Sequence, residues 1–404
     1  MGLWLIKAKM NSNKTILLTI DVEDWFQVEN FKPWIPFETW DQRELRVEKN
    51  TNKLLNLFDS IELKAPSSKL KVDSQIEKNY ELSAMSYELA PKVHNEQSTT
   101  NYELAPKVHN EQSAMSYELA PKVHNELSAM PAQLNFLKKT TKCIQPGSYE
   151  KSHPKVTFFI LGWIAERLPH LVREIHSRGH EVASHGYNHN LCNQQSHADL
   201  KQELIDSKKL LEDITGSKVL GFRAPNFSID DDILKIIEDC GYLYDSSYNS
   251  FGLHGRYGQI SLNGHSKQGI AHKISENFFE LPISNLNLRN TISYQLSAIS
   301  SGRIDKKRFV LPFGGGAYFR LMPFSLFKRG IKNILKKESA YLFYCHPWEI
   351  DSEQPRMDNA SYFNKFKHYT NISQTEKKLK KLIKNLSYCQ FLTCGEYLKE
   401  DRRL

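Results

Sequence analysis

No two of the six cysteines (Cys143, Cys192, Cys240, Cys345, Cys389, Cys394) stand at CxxC spacing, which argues against a zinc ribbon and against a dense disulfide framework. A reducing compartment, the cytoplasm, is the expected setting. Long apolar runs are missing too. Leu3-Trp-Leu-Ile6 and Ile16-Leu-Leu18 are far shorter than a signal-peptide core, and no later run approaches about 18 apolar residues. The expectation is therefore no export signal and no transmembrane segment. Acidic residues are the minority charge, 46 against 54 Lys and Arg, for a formal charge of +8. Much of the excess sits in short clusters such as Lys377-Lys378-Leu-Lys-Lys381, on a helix-like stretch. A solvated helix face accounts for it, so no nucleic-acid partner is expected; peripheral contact with a membrane surface or an acidic polymer is the alternative. Hydrophobic residues make up 40%, enough for a sizeable core in one large α/β domain or two ordinary ones.

One stretch departs from globular composition. Tyr87-Glu-Leu-Ala-Pro-Lys-Val-His-Asn-Glu96 recurs at Tyr102–Glu111 and at Tyr117–Glu126, a strict fifteen-residue period. Each unit has few large apolar residues and a central proline, unlike solenoid repeats. Residues 65–152 are therefore expected to be a disordered, low-complexity insertion between residues 14–64 and 153–398. The repeated His94, His109 and His124 travel with the duplication and carry little weight as metal ligands.

Outside the insertion, strand and helix patterns alternate. Thr15-Ile-Leu-Leu-Thr-Ile20 reads as a buried strand running into Asp21-Val-Glu-Asp24, and the segment from Glu48 to Phe58 as a helix. Lys155–Leu161 is a second strand, Ala165–Arg178 a helix, His180–Ser184 a third strand and Val219–Arg223 a fourth. Ala340–Cys345 is a later buried strand. Such alternation predicts a parallel sheet, and polar motifs fall repeatedly at the strand C-termini, where catalytic groups of such sheets collect. Those motifs are the carboxylates of Asp21–Asp24, the pair in Ser184-His185-Gly186-Tyr187-Asn188-His189, Arg223 and His346. Two histidines four residues apart lie one turn from each other if the segment is helical, so both imidazoles can converge on one cation. Aromatic residues after the first strand, Trp25 among them, either line a sugar-binding cleft or pack in the core.

Taken together, these motifs resemble those of the polysaccharide deacetylases, the NodB-homology or carbohydrate esterase 4-like family, with the closest likeness to its exopolysaccharide- and exosortase-associated branch. The likeness rests on Asp21-Val-Glu-Asp-Trp-Phe26, Thr157-Phe-Phe159 with Gly162-Trp163, Ser184-His185 to His189, Phe222-Arg-Ala-Pro225, Gly314-Gly-Gly-Ala-Tyr-Phe-Arg320 and His346-Pro-Trp-Glu-Ile-Asp351. It covers about residues 14–60 and 153–398. It implies an α/β fold, a distorted (β/α) barrel, usually of fewer than eight strands, around one divalent metal ion. By motif, His185 and His189 would be metal ligands, Asp21 the catalytic base, Arg223 its orienting partner and His346 the general acid. Trp25, Pro225, Tyr318 and Trp348 become candidates for sugar contact. Family members commonly carry two adjacent aspartates, whereas Val22 follows Asp21 here. The third ligand is then Glu23, which shares a strand face with Asp21, or Asp24 if the chain has already turned.

The implied reaction is metal-dependent hydrolysis of N-acetyl groups on amino sugars, with Zn2+ as the expected ion and an N-acetylated carbohydrate as substrate. Two alternatives stand beside it: a metal-independent hydrolase of non-peptide C–N bonds on the same fold, and a non-catalytic carbohydrate-binding protein.

Overall fold

The run Thr15–Val22 forms strand β1, and every residue in it is buried. The computed structural model describes residues 14–63, 152–251, 257–288 and 309–400. Along β1, Ile16, Leu18, Ile20 and Val22 pack into the main apolar cluster, whereas Leu17 belongs to a second cluster and Thr19 and Asp21 meet a buried arginine. A strand covered on both faces needs no polar alternation, hence the continuous apolar run.

The chain then passes through two 3-10 turns into α1 (Val47–Asp59). After Ser152 come β2 (Val156–Ile160), α2 (Gly162–Arg167), α3 (Pro169–Ser177), β3 (Glu181–Ser184), α4 (His197–Thr215), β4 (Gly221–Phe222), α5 (Asp231–Asp239) and β5 (Tyr244–Asp245). The single helix expected over Ala165–Arg178 is two. Leu168, ahead of Pro169, takes φ −126° and ψ 54°, outside the helical region that proline disfavours for its predecessor. Next lie β6 (Ser266–Gln268), β7 (Ala271–Lys273), β8 (Phe279–Glu280) and a separate antiparallel pair, β9 (Leu286–Leu288) with β10 (Phe309–Leu311). The remaining elements are α6 (Gly316–Leu321), α7 (Phe324–Lys337), β11 (Ala340–Cys345), α8 (Tyr362–Tyr369), α9 (Ile372–Asn385), β12 (Gln390–Phe391) and α10 (Cys394–Glu400).

Parallel pairing runs β11-β1-β2-β3-β4-β5-β8, with β7 and β6 added antiparallel beyond β8 and β12 beside the start of β1. The chain leaving β8 stitches the two ends of this run together. Leu281 N–H donates to the Asp245 carbonyl (2.8 Å), and three residues on, Ser284 N–H donates to the Leu342 carbonyl (3.3 Å) while Ser284 Oγ accepts from Leu342 N–H (2.8 Å). This irregular seam between β8 and β11 makes the distorted (β/α) barrel that the family resemblance implied.

The repeats, with residues 65–151 of that stretch and His94, His109 and His124 among them, lie outside the described residues. The flanks of that stretch meet directly: Leu63 N–H donates to the Ser152 carbonyl at 2.9 Å in an antiparallel bridge. Because α1 precedes this bridge and β2 follows it, the junction lies at the strand N-termini, the barrel end opposite the polar motifs. The basic stretch on α9 is partly spoken for. Lys378 Nζ donates to the carbonyls of Phe319 and Met322 at the end of α6 and lies 4.7 Å from the centre of the Phe319 ring.

Candidate active site

Four strand ends deliver the polar motifs to one place. β1 ends at Val22, whose side chain packs outward, and Glu23 N–H bonds back to the Asp21 carbonyl (3.0 Å). This return keeps Asp21 and Glu23 on the barrel-interior side. His185 follows β3 directly, with its N–H on the Ile160 carbonyl (3.0 Å). The histidine pair does not sit on a helix as its spacing suggested. Gly186 at φ +77° and His189 at φ +56° coil the loop through the left-handed region instead. Glycine is at home there; a histidine is strained by about 1 kcal/mol or more. The loop is held by Gly162 N–H and Trp163 N–H, which donate to the carbonyls of Gly186 and Tyr187 (both 2.9 Å).

His185 Nε2 and His189 Nε2 both approach Glu23 Oε1, at 3.0 and 3.1 Å, and all three side chains are buried. Their ligand atoms lie within 4.8 Å of one another, an arrangement that could hold a metal ion. The chemistry of the donors fits one. His185 Nδ1 lies 2.7 Å from the Arg223 carbonyl, which can only accept, so Nδ1 carries the hydrogen, and Nε2 is the ring nitrogen that faces Glu23 and would coordinate an ion. Each imidazole nitrogen stands 3.0 or 3.1 Å from the carboxylate oxygen, close to the ligand–ligand edge of about 3.3 Å in a tetrahedral site with bonds near 2.0–2.1 Å. Burial disfavours the charge on Glu23, but His189, His346 and the hydrogen bonds from both ligand histidines outweigh it and hold its carboxyl well below the usual range.

Asp24 is not brought into this cluster. Its Oδ1 accepts from Trp25 N–H (2.7 Å), and its Oδ2 accepts from Arg46 N–H (2.6 Å) and Val47 N–H (2.8 Å), capping the start of α1. The chain has turned by Asp24, but away from the histidines. Burial lifts the Asp24 pKa to about 6 despite these three bonds.

Beside Glu23 lie the proton-handling groups. Arg223, fully buried, donates from Nη1 to Asp21 Oδ1 (2.6 Å) and Thr19 Oγ1 (2.8 Å), while its Nε and Nη2 grip the carbonyl and hydroxyl of Ser246 (2.9 and 2.8 Å). His346 follows β11 and places Nε2 3.9 Å from Asp21 Oδ2 and 3.8 Å from Glu23 Oε1. Burial would lower its pKa, but the carboxylates of Glu23, Glu349 and Asp21 outweigh that and push it up to about 9. Sequence reasoning assigned no role to Glu349. Its Oε1 accepts from His346 Nδ1 (2.9 Å) and its Oε2 from Arg320 Nε (2.7 Å), both partners of a buried pair. The three-residue spacing from His346 was a signal for it. Gly316 belongs here as well: a Cβ there would come within 2.2 Å of the Glu349 carboxylate, so this position admits the buried carboxylate only as glycine.

A cavity of about 110 Å³ opens over these groups, lined by Asp21, Glu23, His185, His189, Tyr318 and His346 among others. Of the residues expected at the sugar, Tyr318 lines it, half-buried. Trp348 lines it too, but its faces are covered: His346 stacks on the ring at 5.1 Å and His368 at 4.2 Å. Trp25 and Pro225 do not line it. Trp25 is buried against Phe26 with its indole N–H on the Glu44 carbonyl, and Pro225 is buried near Gly186. Phe227 and Tyr257, neither singled out from sequence, contribute to the lining instead.

Residues 149–244 match the family model described as polysaccharide deacetylase, and residues 246–397 match a domain of unknown function, DUF3473. A peptidoglycan deacetylase-like protein of Gibberella zeae is 40% identical over 94 residues, 23% of this chain and 28% of that protein. A peptidoglycan-N-acetylglucosamine deacetylase of Bacillus cereus is 33% identical over 88 residues, 22% of this chain and 41% of that protein. The chain thus spans less than half the length of these relatives. Among solved structures, a CE4 family pseudoenzyme from Bacillus anthracis aligns over 67% of this chain and 60% of its own, at 15% identity and a TM-score of 0.33. With the family match running from the residues just before β2 to the first residue of β5, across the histidine pair and Arg223, this part of the chain is a polysaccharide deacetylase domain.

Proposed function

We propose that this chain is a metal-dependent hydrolase that removes N-acetyl groups from amino sugars of a polysaccharide or its lipid-linked precursor, acting in the cytoplasm in exopolysaccharide biosynthesis. The observation that carries the reading is the placement of a Glu23–His185–His189 donor set against a separate acid and base, His346 and Asp21, in one buried cleft. A non-catalytic sugar-binding site has no use for both. The peptidoglycan deacetylases among the matched relatives support the same substrate class.

Glu23, His185 and His189 would hold the ion, Zn2+ by their mixed imidazole and carboxylate character. When bound, a divalent cation supplies Lewis-acid polarisation of a carbonyl and acidification of water. The protein's own groups do the rest. Arg223 occupies Asp21 Oδ1 and fixes the carboxylate, leaving Oδ2 toward His346 to take the proton of the attacking water. His346, with Nδ1 held by Glu349, gives its Nε2 proton to the departing amine nitrogen as the C–N bond breaks. Water and amide become acetate and amine, and the two residues have exchanged one proton's worth of charge.

The test is acetate release from N-acetylated oligosaccharides by chelator-treated and metal-reloaded protein. Activity should vanish and return with the ion, and Asp21→Asn should keep the ion while losing on the order of 10²- to 10⁴-fold in turnover. Full turnover without metal, or full metal occupancy in a His185→Ala/His189→Ala variant, would sink the assignment.

A further inference from the structure

Helix α8 turns its aromatic side outward. Tyr362 and Phe363, at 83% and 70% exposure, are the most exposed large apolar side chains among the described residues, and Phe366 on the next turn is 49% exposed. Spaced at i, i+1 and i+4, they share one side of the helix. The other side is already docked: His368 is buried between Trp348 and Phe31, and Asn364 donates to the Asn30 carbonyl. The exposed rings therefore have no role in seating the helix. Their neighbours Lys365 and Lys367 are basic, and no acidic residue occurs in Tyr362–Tyr369. Lys367 and His368 also line the catalytic cavity, so this surface borders its mouth.

Clustered rings interleaved with lysines suit the boundary between headgroups and acyl chains of an anionic bilayer. A sugar platform suits them less, because Phe363 and Phe366 carry no polar handle and nothing orients them toward the cleft. We propose that α8 docks the protein on an anionic membrane surface, with Tyr362, Phe363 and Phe366 entering the interface and Lys365 meeting the headgroups, so that the cleft faces a saccharide presented by a lipid. This deepens the deacetylase reading and rests on it for the saccharide.

The test is co-sedimentation of the full chain with phosphatidylglycerol-containing vesicles and with pure phosphatidylcholine vesicles. The wild type should bind the anionic vesicles preferentially, and Tyr362→Ser/Phe363→Ser/Phe366→Ser should bind them roughly tenfold or more weakly. Lys365→Glu, which keeps the rings, should reduce binding in low salt. Acetate release from a soluble oligosaccharide should stay within about twofold in all variants. Absence of vesicle binding by the wild type, or undiminished binding by the triple variant, overturns the proposal. So does a triple variant that keeps vesicle binding but shows a raised KM for the soluble oligosaccharide, which would make the rings a sugar platform. If vesicle binding behaves as expected while no protein releases acetate, the docking surface stands and the deacetylase reading falls.

Discussion

The carboxylates of Glu23 and Asp24 are neighbours in sequence with opposite duties, and amide substitution should separate them. In Asp24→Asn one oxygen remains. The least costly orientation keeps it on the N–H groups of Arg46 and Val47 and turns the new NH2 toward Trp25 N–H. Trp25 N–H then loses its acceptor and the buried NH2 gains none, at about 1–3 kcal/mol for each unpaired group. Little is added by the lost charge, because burial already lifts the Asp24 pKa to about 6. For a domain of this size each such loss lowers Tm by roughly 2–10 °C. Metal affinity should be unchanged, since none of these contacts reaches the histidines. Glu23→Gln should do the reverse. Losing an outer partner of a metal ligand costs about 10- to 100-fold, so losing a ligand should cost more than about 100-fold. The assays are metal content after gel filtration and thermal melting of the metal-free proteins. If Asp24→Asn loses the ion while Glu23→Gln retains it, the assignment of the two carboxylates is inverted and the reasoning fails.

Other perturbations probe the scaffold around the cleft. Glu349→Gln keeps one acceptor oxygen but removes the charge that faces both Arg320 and His346 and turns an NH2 onto one of these donors, so stability should fall by about 3–5 kcal/mol and kcat should drop more than KM rises; an unchanged kcat would deny Glu349 its positioning role. His180 packs against Phe158 and Phe58 with neither ring nitrogen paired, and burial lowers its pKa to about 4. Its neutral form favours the fold above the unfolded pKa of about 6.5, and on the order of 3 kcal/mol is lost as pH falls through 4. In His180→Phe the acid side of the Tm profile should flatten; an identical profile would show that His180 takes up its proton without penalty. Replacing residues 64–151 by a short linker should leave Tm and acetate release nearly unchanged, because Leu63 and Ser152 are already bridged at the far end of the barrel from the site. Loss of folding or of turnover would make the repeats part of the working protein.

The site was legible where local sequence and barrel geometry agree. A buried parallel strand has no polar alternation, so carboxylates at its end stand out, and Asp21, Arg223 and His346 could be placed at strand ends before their contacts were visible. The histidine pair was found through a different geometry from the one it adopts: helical spacing singled it out, yet Gly186 and His189 coil through positive φ, which a four-residue spacing does not reveal. Long-range partners left weaker traces. Asp24 is a cap because α1 begins 23 residues later at Val47, and Trp348, though it lines the cavity, has its second face covered by His368, 20 residues on. The barrel's seam was hidden for the same reason. β8 is two residues long, and what joins it to β11 is the hydroxyl and backbone of Ser284, in a stretch whose sequence resembles a loop. Closure there depends on one serine with the right neighbour 58 residues away, and no periodicity encodes that. The chemistry could be read ahead of the fold because reactive groups must stand at strand ends, whereas the contacts that aim them can come from anywhere in the chain.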